Sequence, residues 1–123
     1  MKHYEGIRTE SGVVVRVATD DCPNKRDLPA RMDVINHSLD GFEWGYAGSG
    51  PTQLALALAI DALDGDVVRA VKVYQDVKWQ ITAKLDGNRW LLTQESILET
   101  IHAIETARAR LRAGASLATA GMR

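Results

Sequence analysis

The chain has 123 residues, of which 46% are apolar and 25% charged, and its formal net charge is −1. This length and composition are typical of one globular domain that can bury a real core. The near-neutral charge excludes a strongly basic nucleic-acid-binding surface over the whole molecule. The charge is uneven, because residues 1–65 hold 6 Lys and Arg against 10 Asp and Glu, whereas residues 66–123 hold 9 against 6.

The first two strands are predicted at Lys2–Thr9 and Val13–Thr19, joined by a tight turn at Ser11-Gly12. Three successive valines at 13–15 suggest that the second strand is buried on both faces. Residues 20–40 then contain several Asp and Pro residues, which break regular structure. So long a loop is either functional or hides a short element, for which Met32–Ile35 is the candidate.

A third strand is predicted at Phe42–Tyr46, followed by a Gly-Ser-Gly turn and a helix that starts at Pro51. Ser49 or Gly50 is the expected N-cap, and the flanking glycines allow a sharp turn with positive φ. Residues 52–63 alternate Leu with Ala, but Ala strongly favours a helix. Because this helix is apolar nearly all round, we expect it to be the buried central helix, ending near Gly65.

Asp66 is predicted to cap a second helix, with Val67, Val71 and Tyr74 on one face. Apolar and polar residues then alternate over 77–85, which predicts a strand with one buried face. The sequence Asp-Gly-Asn at 86–88 predicts a hairpin turn into a returning strand at 89–92.

Thr93 is the predicted N-cap of a long amphipathic helix that ends at Gly114. Its apolar stripe consists of Ile97, Ile101, Ile104 and Leu111. We therefore expect a single domain over residues 1–113 and a flexible tail over 114–123. The predicted fold class is α+β, a mostly antiparallel sheet of four to five strands with about three helices packed on one side.

The segment FEWGYAGSGPTQLALALA resembles a family of small bacterial and phage-borne proteins of unknown function, whose signature is a WGY–GSGP–QLALAL core. The resemblance extends from about Tyr4 to about Ile101, and it is specific between Phe42 and Leu58. It implies a fold and a setting on mobile genetic elements, and it supplies no catalytic residues.

Cys22 is the only cysteine, so no internal disulfide can form. The first eight residues are polar, and the apolar run at 54–60 is too short to span a membrane. Together these features predict a cytoplasmic protein that does not contact a membrane.

Phe42, Trp44 and Tyr46 alternate, so in a strand they share one face. If helices cover that face the three rings belong to the core, and if it is open they form an aromatic recognition patch. The turn at Ser49-Gly50 offers two interpretations as well. It either caps a core helix or holds an anionic group at the helix N-terminus, although the Lys of a phosphate-binding loop is missing.

The remaining candidates for chemistry are weaker. His3, His37 and His102 lack metal-ligand spacing, and Cys22 with His37 would need a neighbour that lowers the thiol pKa. A hard cation could bind three carboxylates of the 20–40 loop, at Asp20, Asp21 and Asp33. A nucleic-acid patch could form from Lys72, Lys78, Lys84, Arg89, Arg108, Arg110 and Arg112.

The sequence therefore favours a small cytoplasmic, non-enzymatic binding module whose partner is another protein, working through the 20–46 segment. Within the mobile-element setting, an inhibitor of a host defence complex is one hypothesis. The alternative is a small enzyme or ligand-binding domain that holds an anion at Ser49-Gly50. No catalytic or metal-binding residue and no cofactor is predicted, and nucleic acid is a weaker alternative partner. The predicted partner- or ligand-binding residues are Arg31, His37, Phe42, Trp44, Tyr46, Ser49 and Gly50.

Overall fold

The computed structural model describes the main chain of residues 1–22 and 24–121 and the side chains of these residues up to Gly114. Within them the chain forms a four-stranded antiparallel sheet and three α-helices, which confirms the predicted α+β class. The elements are β1 (Lys2–Thr9), β2 (Gly12–Thr19), β3 (Arg26–Asp27), α1 (Ser49–Ala62), α2 (Val67–Gln80), a 3₁₀ helix (Thr82–Lys84), β4 (Arg89–Thr93) and α3 (Gln94–Gly121).

The sheet has the strand order β3-β2-β1-β4, so β1 and β2 form the predicted hairpin and β4 returns along the other side of β1. One face, which carries Tyr4, Val15 and Trp90, packs against the helices and is buried. The opposite face is open, since Val14 and Leu91 are exposed on it. The expectation that β2 is buried on both faces is therefore wrong, because helices cover one side of the sheet.

The α1 helix is the centre of the core, as predicted. From Gly50 to Ile60 every residue of α1 is buried, and the alanines let neighbouring chain segments approach closely. The helix begins two residues before Pro51, with Gly48 as its N-cap, and no side chain caps it. Its end near Gly65 is confirmed. The Gly65 amide donates to the Ile60 carbonyl at 2.9 Å, and Asp64 takes the left-handed position with φ 53°.

The predicted strand over 77–85 is wrong, because this segment is the end of α2 followed by the 3₁₀ helix. The alternating pattern contains Val77, Ile81 and Leu85 at four-residue spacing, which also suits one helical face. The buried face of α2 consists of Ala70, Val73, Tyr74 and Val77. Helix packing on α1 therefore overrides the alternation, and no hairpin precedes β4. The Asp66 cap is confirmed, since its carboxylate accepts the Arg69 amide at 3.1 Å.

The predicted strand at Phe42–Tyr46 is also wrong, because the main chain there is irregular. Gly41 and Gly45 flank the tryptophan with φ of 90° and 88°, which a strand does not contain. The third strand is instead β3, two residues long, and the candidate element at Met32–Ile35 is a turn.

The N-cap of α3 is Thr93, as predicted, and its hydroxyl oxygen accepts the Ser96 amide at 3.1 Å. Ile97, Ile101 and Ile104 are buried, whereas Leu111 is exposed. The predicted end at Gly114 is wrong, because α3 continues to Gly121. The single domain over 1–113 and the flexibility of the tail over 114–123 stay predictions, and residues 122–123 lie outside the described residues. Of the described helices, none is long and apolar enough to cross a membrane.

Candidate functional site

The segment between β3 and α1, residues 28–48, is here called the anchored loop, because a buried glutamine of α1 holds its first half. The Gln53 side chain is fully buried, and its amide nitrogen donates to the carbonyls of Ala30 at 2.6 Å and Ile35 at 3.1 Å. Its amide oxygen accepts the main-chain N–H of His37 at 2.7 Å. One side chain thus satisfies three polar main-chain groups of the loop, which fixes its course over the helix.

The second attachment is to α2. The Nε2 atom of His37 lies 2.7 Å from the Tyr74 hydroxyl, and the two rings are 5.5 Å apart. Farther along the loop, the Gly45 amide donates to the Thr82 carbonyl at 2.9 Å. The loop therefore runs beside α2 and the 3₁₀ helix, joined to them at both positions.

Trp44 is a core residue and not part of an aromatic patch. Only 2% of its surface is exposed, and its indole N–H donates to the Gly87 carbonyl at 2.8 Å. Its ring meets that of Trp90 edge to face at 5.5 Å, and the Arg8 guanidinium lies 4.6 Å from the Trp44 ring centroid. The core interpretation of this position is the one that the structure supports.

Phe42 and Tyr46 do not share a strand face with Trp44, because the main chain is irregular here. Gly45, with positive φ, turns the main chain between Trp44 and Tyr46. Phe42 is half-buried against the core, whereas Tyr46 is 51% exposed. Leu39, on the same loop, is 85% exposed. The predicted shared aromatic face therefore does not form. The loop exposes two separate apolar side chains, Leu39 and Tyr46, of which the sequence singled out only Tyr46.

At the start of α1, Ser49 is exposed and Gly50 is buried. A Cβ placed on Gly50 would lie 2.6 Å from the Cβ of Glu43, so the close approach of the loop explains the glycine. Neither Gly48 nor Gly50 has the positive φ expected of this turn. The nearest charged residue, Glu43, is acidic and binds Arg8 at 2.6 Å. Anion binding at Ser49-Gly50 stays a prediction that this geometry does not strengthen.

Arg31 has a φ of 57°, which is rare for a residue with a side chain, and its guanidinium binds the Asp33 carboxylate at 3.1 Å. The hydrogen bond from Arg31 lowers the pKa of Asp33. Arg31 also lines a cleft of about 240 Å³ together with Lys2 and Asp61. The structure therefore places Arg31 beside that cleft.

Asp61, which sequence analysis did not select, is the centre of an ion network at this cleft. Its carboxylate accepts the Tyr4 hydroxyl at 2.9 Å and lies 2.7 Å from Arg26 and 3.2 Å from Lys2. Burial raises the pKa of Asp61, but the hydrogen bonds from Arg26 and Tyr4 and the charge of Lys2 outweigh it, so the pKa is lowered. Burial, with Asp61 beside it, raises the pKa of Tyr4. The Asp61 carboxylate is therefore fully engaged by Tyr4, Arg26 and Lys2, and these contacts connect the sheet to α1.

A second such cluster lies on the open face of the sheet. Glu5 is buried beneath two cations, with Lys25 at 2.9 Å and Arg89 at 2.7 Å from its carboxylate. Hydrogen bonds from Lys25 and Arg89 lower the pKa of Glu5. Arg89, a member of the predicted nucleic-acid patch, is thus paired with Glu5 of the same protein.

Other members of that patch are paired as well. Arg108 binds the Asp76 carboxylate and the Lys72 carbonyl. Between α2 and α3, Arg69 also binds Glu105 through two hydrogen bonds. Among the described residues, no group of three His, Cys, Asp or Glu side chains is placed to hold a metal ion. The Cys22 thiol is exposed, and His37 is engaged by Tyr74.

These features define a small α+β protein in which an antiparallel sheet and a buried central helix support a surface loop that is fixed at several points. The chain belongs to the family of unknown function DUF6166, whose model matches residues 4–103. That range contains the sheet from Tyr4 onward, α1, α2 and the first part of α3. No curated protein and no solved structure matches the chain.

Proposed function

We propose that this protein is a non-enzymatic binding module that contacts another protein through the anchored loop. The observation that carries the proposal is that a loop fixed from beneath by Gln53 exposes two large apolar side chains, Leu39 and Tyr46. Exposed apolar side chains on a rigidly held loop are typical of an interaction surface, since the loop loses little conformational entropy on binding.

The neighbouring face of α2 extends this surface. Val68, Val71 and Trp79 are exposed at spacings of three and eight residues, which places them on one side of the helix. The anchored loop is joined to α2 by the His37–Tyr74 contact and to the 3₁₀ helix by the hydrogen bond from Gly45 to Thr82. Leu39, Tyr46, Val71 and Trp79 are together called the loop–α2 surface. Tyr and Trp side chains are favoured anchors of protein interfaces.

A protein suits this surface better than a nucleic acid. Its exposed groups are apolar and aromatic. Two basic side chains of α2 and α3 are already paired, Arg108 with Asp76 and Arg69 with Glu105. The carboxylates of Glu5 and Asp61 have lowered pKa values, and each is paired with two basic side chains. This pairing supports structural roles for them over catalysis. We place the protein in the cytoplasm and assign it no cofactor.

The resemblance of the core motif to phage-borne proteins supports a further part of the proposal, an accessory role on a mobile genetic element. Inhibition of a host defence complex is the specific form that we propose. It predicts that a phage sensitive to such a complex regains plaque formation when its host expresses this protein. Unchanged plaque counts across a panel of defence systems would contradict the inhibitor role and leave the binding proposal intact.

The binding proposal is tested by partner capture followed by a measured affinity. The protein is immobilised, a captured protein is identified and expressed alone, and its Kd is measured by calorimetry. The double variant Leu39→Ser with Tyr46→Ser should weaken that binding by about tenfold or more, since interface anchors cost over about 1 kcal/mol when truncated.

The matched control is Leu111→Ser, which removes another highly exposed leucine, on α3. It should leave both Kd and thermal stability unchanged. Equal loss of binding in the control, or full binding by the double variant, would place the interface elsewhere.

A further inference from the structure

The β4 strand is an edge of the sheet, and its main-chain groups alternate in direction. The Arg8 amide donates to the Asn88 carbonyl at 2.7 Å, and in the same register Gly6 lies opposite Trp90 and Tyr4 opposite Leu92. Hydrogen-bonded and non-hydrogen-bonded pairs alternate in an antiparallel ladder. The N–H and C=O of Leu91, opposite Glu5, therefore point away from β1 toward the free edge.

A cleft of about 280 Å³ lies beside this edge on the helix side of the sheet. Its apolar wall consists of Ile81, Leu85 and Leu92, and its remaining lining residues are Gln80, Lys84, Ser96 and Thr100. Of the described strands, only β4 contributes to the lining, through Leu92. The cleft is therefore outside the β1–β4 pair, in the position where the side chains of a fifth strand would enter.

The other face of the same edge carries one exposed apolar side chain, Leu91, between Arg89 and Thr93. Leu91 is 69% exposed on the open face of the sheet, whereas Trp90 points to the helices and is buried. An edge strand with an exposed apolar residue and free main-chain groups is a template for pairing with a further strand. Here an added strand would find apolar contact above the sheet at Leu91 and below it in the cleft.

We propose that the β4 edge binds an extended peptide segment of a partner protein, which adds to the sheet as a fifth strand. Its main chain bonds the N–H and C=O of Leu91, and its alternate side chains are apolar and fill the cleft beside Leu92. Lys84 at the rim of the cleft pairs with no carboxylate among the described residues, so an acidic residue flanking the apolar positions completes the ligand. The residues that line this cleft are not among those that define the loop–α2 surface.

A second copy of this chain suits the edge less well. Antiparallel pairing of two β4 strands about Leu91 would bring together two edges whose inward side chains, Trp90 and Leu92, already pack under their own helices. Neither copy would then supply side chains for the clefts, which would remain as two unfilled cavities. A separate peptide can place a side chain in the cleft at every second residue.

The test uses dodecapeptides selected from a random phage-displayed library on the purified full-length protein. The enriched peptides should share alternating apolar residues and a flanking Asp or Glu, without central proline. One such peptide, synthesised with a fluorophore, gives a Kd by anisotropy. Methylation of the peptide nitrogen that bonds the Leu91 carbonyl should weaken binding by about tenfold or more, since it removes a main-chain donor.

On the protein side, Leu91→Pro removes the outward N–H without breaking a bond to β1, and proline is tolerated at such edge positions. It should abolish peptide binding. The control Val13→Pro changes β2 beyond the end of the short edge strand β3, at a position where the N–H also points away from β1. It should leave the Kd unchanged while both variants keep their circular dichroism spectrum.

Binding that survives both the methylated peptide and Leu91→Pro would overturn the proposal, as would selected peptides without alternating apolar residues. If Leu91→Pro fails to fold, the methylated peptide alone decides. A wild-type dimer in sedimentation that Leu91→Pro converts to a monomer would assign the edge to a second copy instead. Loss of peptide binding in the Leu39 and Tyr46 double variant would show that the two proposed surfaces are one.

Discussion

At the scale of single residues, the candidate site depends most on Gln53, a polar side chain in the largely apolar helix α1. It is fully buried and makes three hydrogen bonds to the main chain of the loop. Burying an amide is costly unless its groups are paired, and here the pairing also satisfies loop groups that would lack a partner. Gln53 thus converts an irregular segment into a fixed one.

We predict that Gln53→Leu destabilises the protein by about 2 kcal/mol or more, because it leaves the partly buried carbonyls of Ala30 and Ile35 without a donor. The substitution is close in size, so the lost hydrogen bonds dominate. Urea unfolding followed by tryptophan fluorescence measures the change in free energy. Gln80→Leu, at an exposed glutamine at the end of α2, is the control and should stay within about 0.5 kcal/mol of wild type. Equal midpoints for the two variants would contradict the anchoring role.

At the scale of elements, α1 organises the rest of the molecule. It packs against α2, α3 and the 3₁₀ helix and shares one core cluster with Tyr4 and Trp90 of the sheet, which is why apolar residues occur all round it. The same packing turns the alternating 77–85 segment into helix, since Val77 and Tyr74 are needed against α1. Alternation of apolar and polar residues is typical of a strand. Here, burial of a helical face contributes more free energy than strand preference does.

Leu58→Ala should cost about 2–5 kcal/mol, because Leu58 is fully buried midway along α1 and the substitution leaves a cavity. Leu111→Ala removes the same atoms from an exposed helical position and should cost less than about 0.5 kcal/mol. Chemical denaturation of the two variants gives the comparison. A denaturation midpoint for Leu58→Ala equal to that of wild type would refute the central role of the helix.

At the scale of the whole molecule, two carboxylates tie distant segments together. Asp61 on α1 is bound by Tyr4 of β1 and Arg26 of β3, and Glu5 of β1 is bound by Arg89 of β4 and by Lys25. Both carboxyl pKa values are lowered in the folded protein. The ion pairs therefore connect residues far apart in the sequence, on opposite faces of the sheet.

A lowered folded-state pKa means that the contribution to stability is present above the unfolded pKa, about 4 for these groups, and is lost as pH falls through the folded value. We therefore expect the free energy of unfolding to decrease as the pH falls below about 5. The double variant Glu5→Gln with Asp61→Asn should be less stable at pH 7 and show a flatter pH dependence. Glu99→Gln, at an exposed site on α3, is the control and should reproduce the wild-type pH profile. A double-variant profile as steep as that of wild type would assign the acid sensitivity to other groups.

The sequence by itself determined the β1–β2 hairpin, the buried α1 helix, the caps at Asp66 and Thr93, and the α+β class. Each follows from neighbouring residues, through turn geometry, side-chain capping or apolar composition. Of the residues that form the proposed site, the sequence singled out His37 and Tyr46 and did not single out Leu39 or Gln53. The tertiary structure alone decided that 77–85 is helical, that Trp44 is buried, and that β4 is an edge beside a cleft. These features depend on which segments pack together, and a one-dimensional pattern does not contain that information when two periodicities fit the same residues.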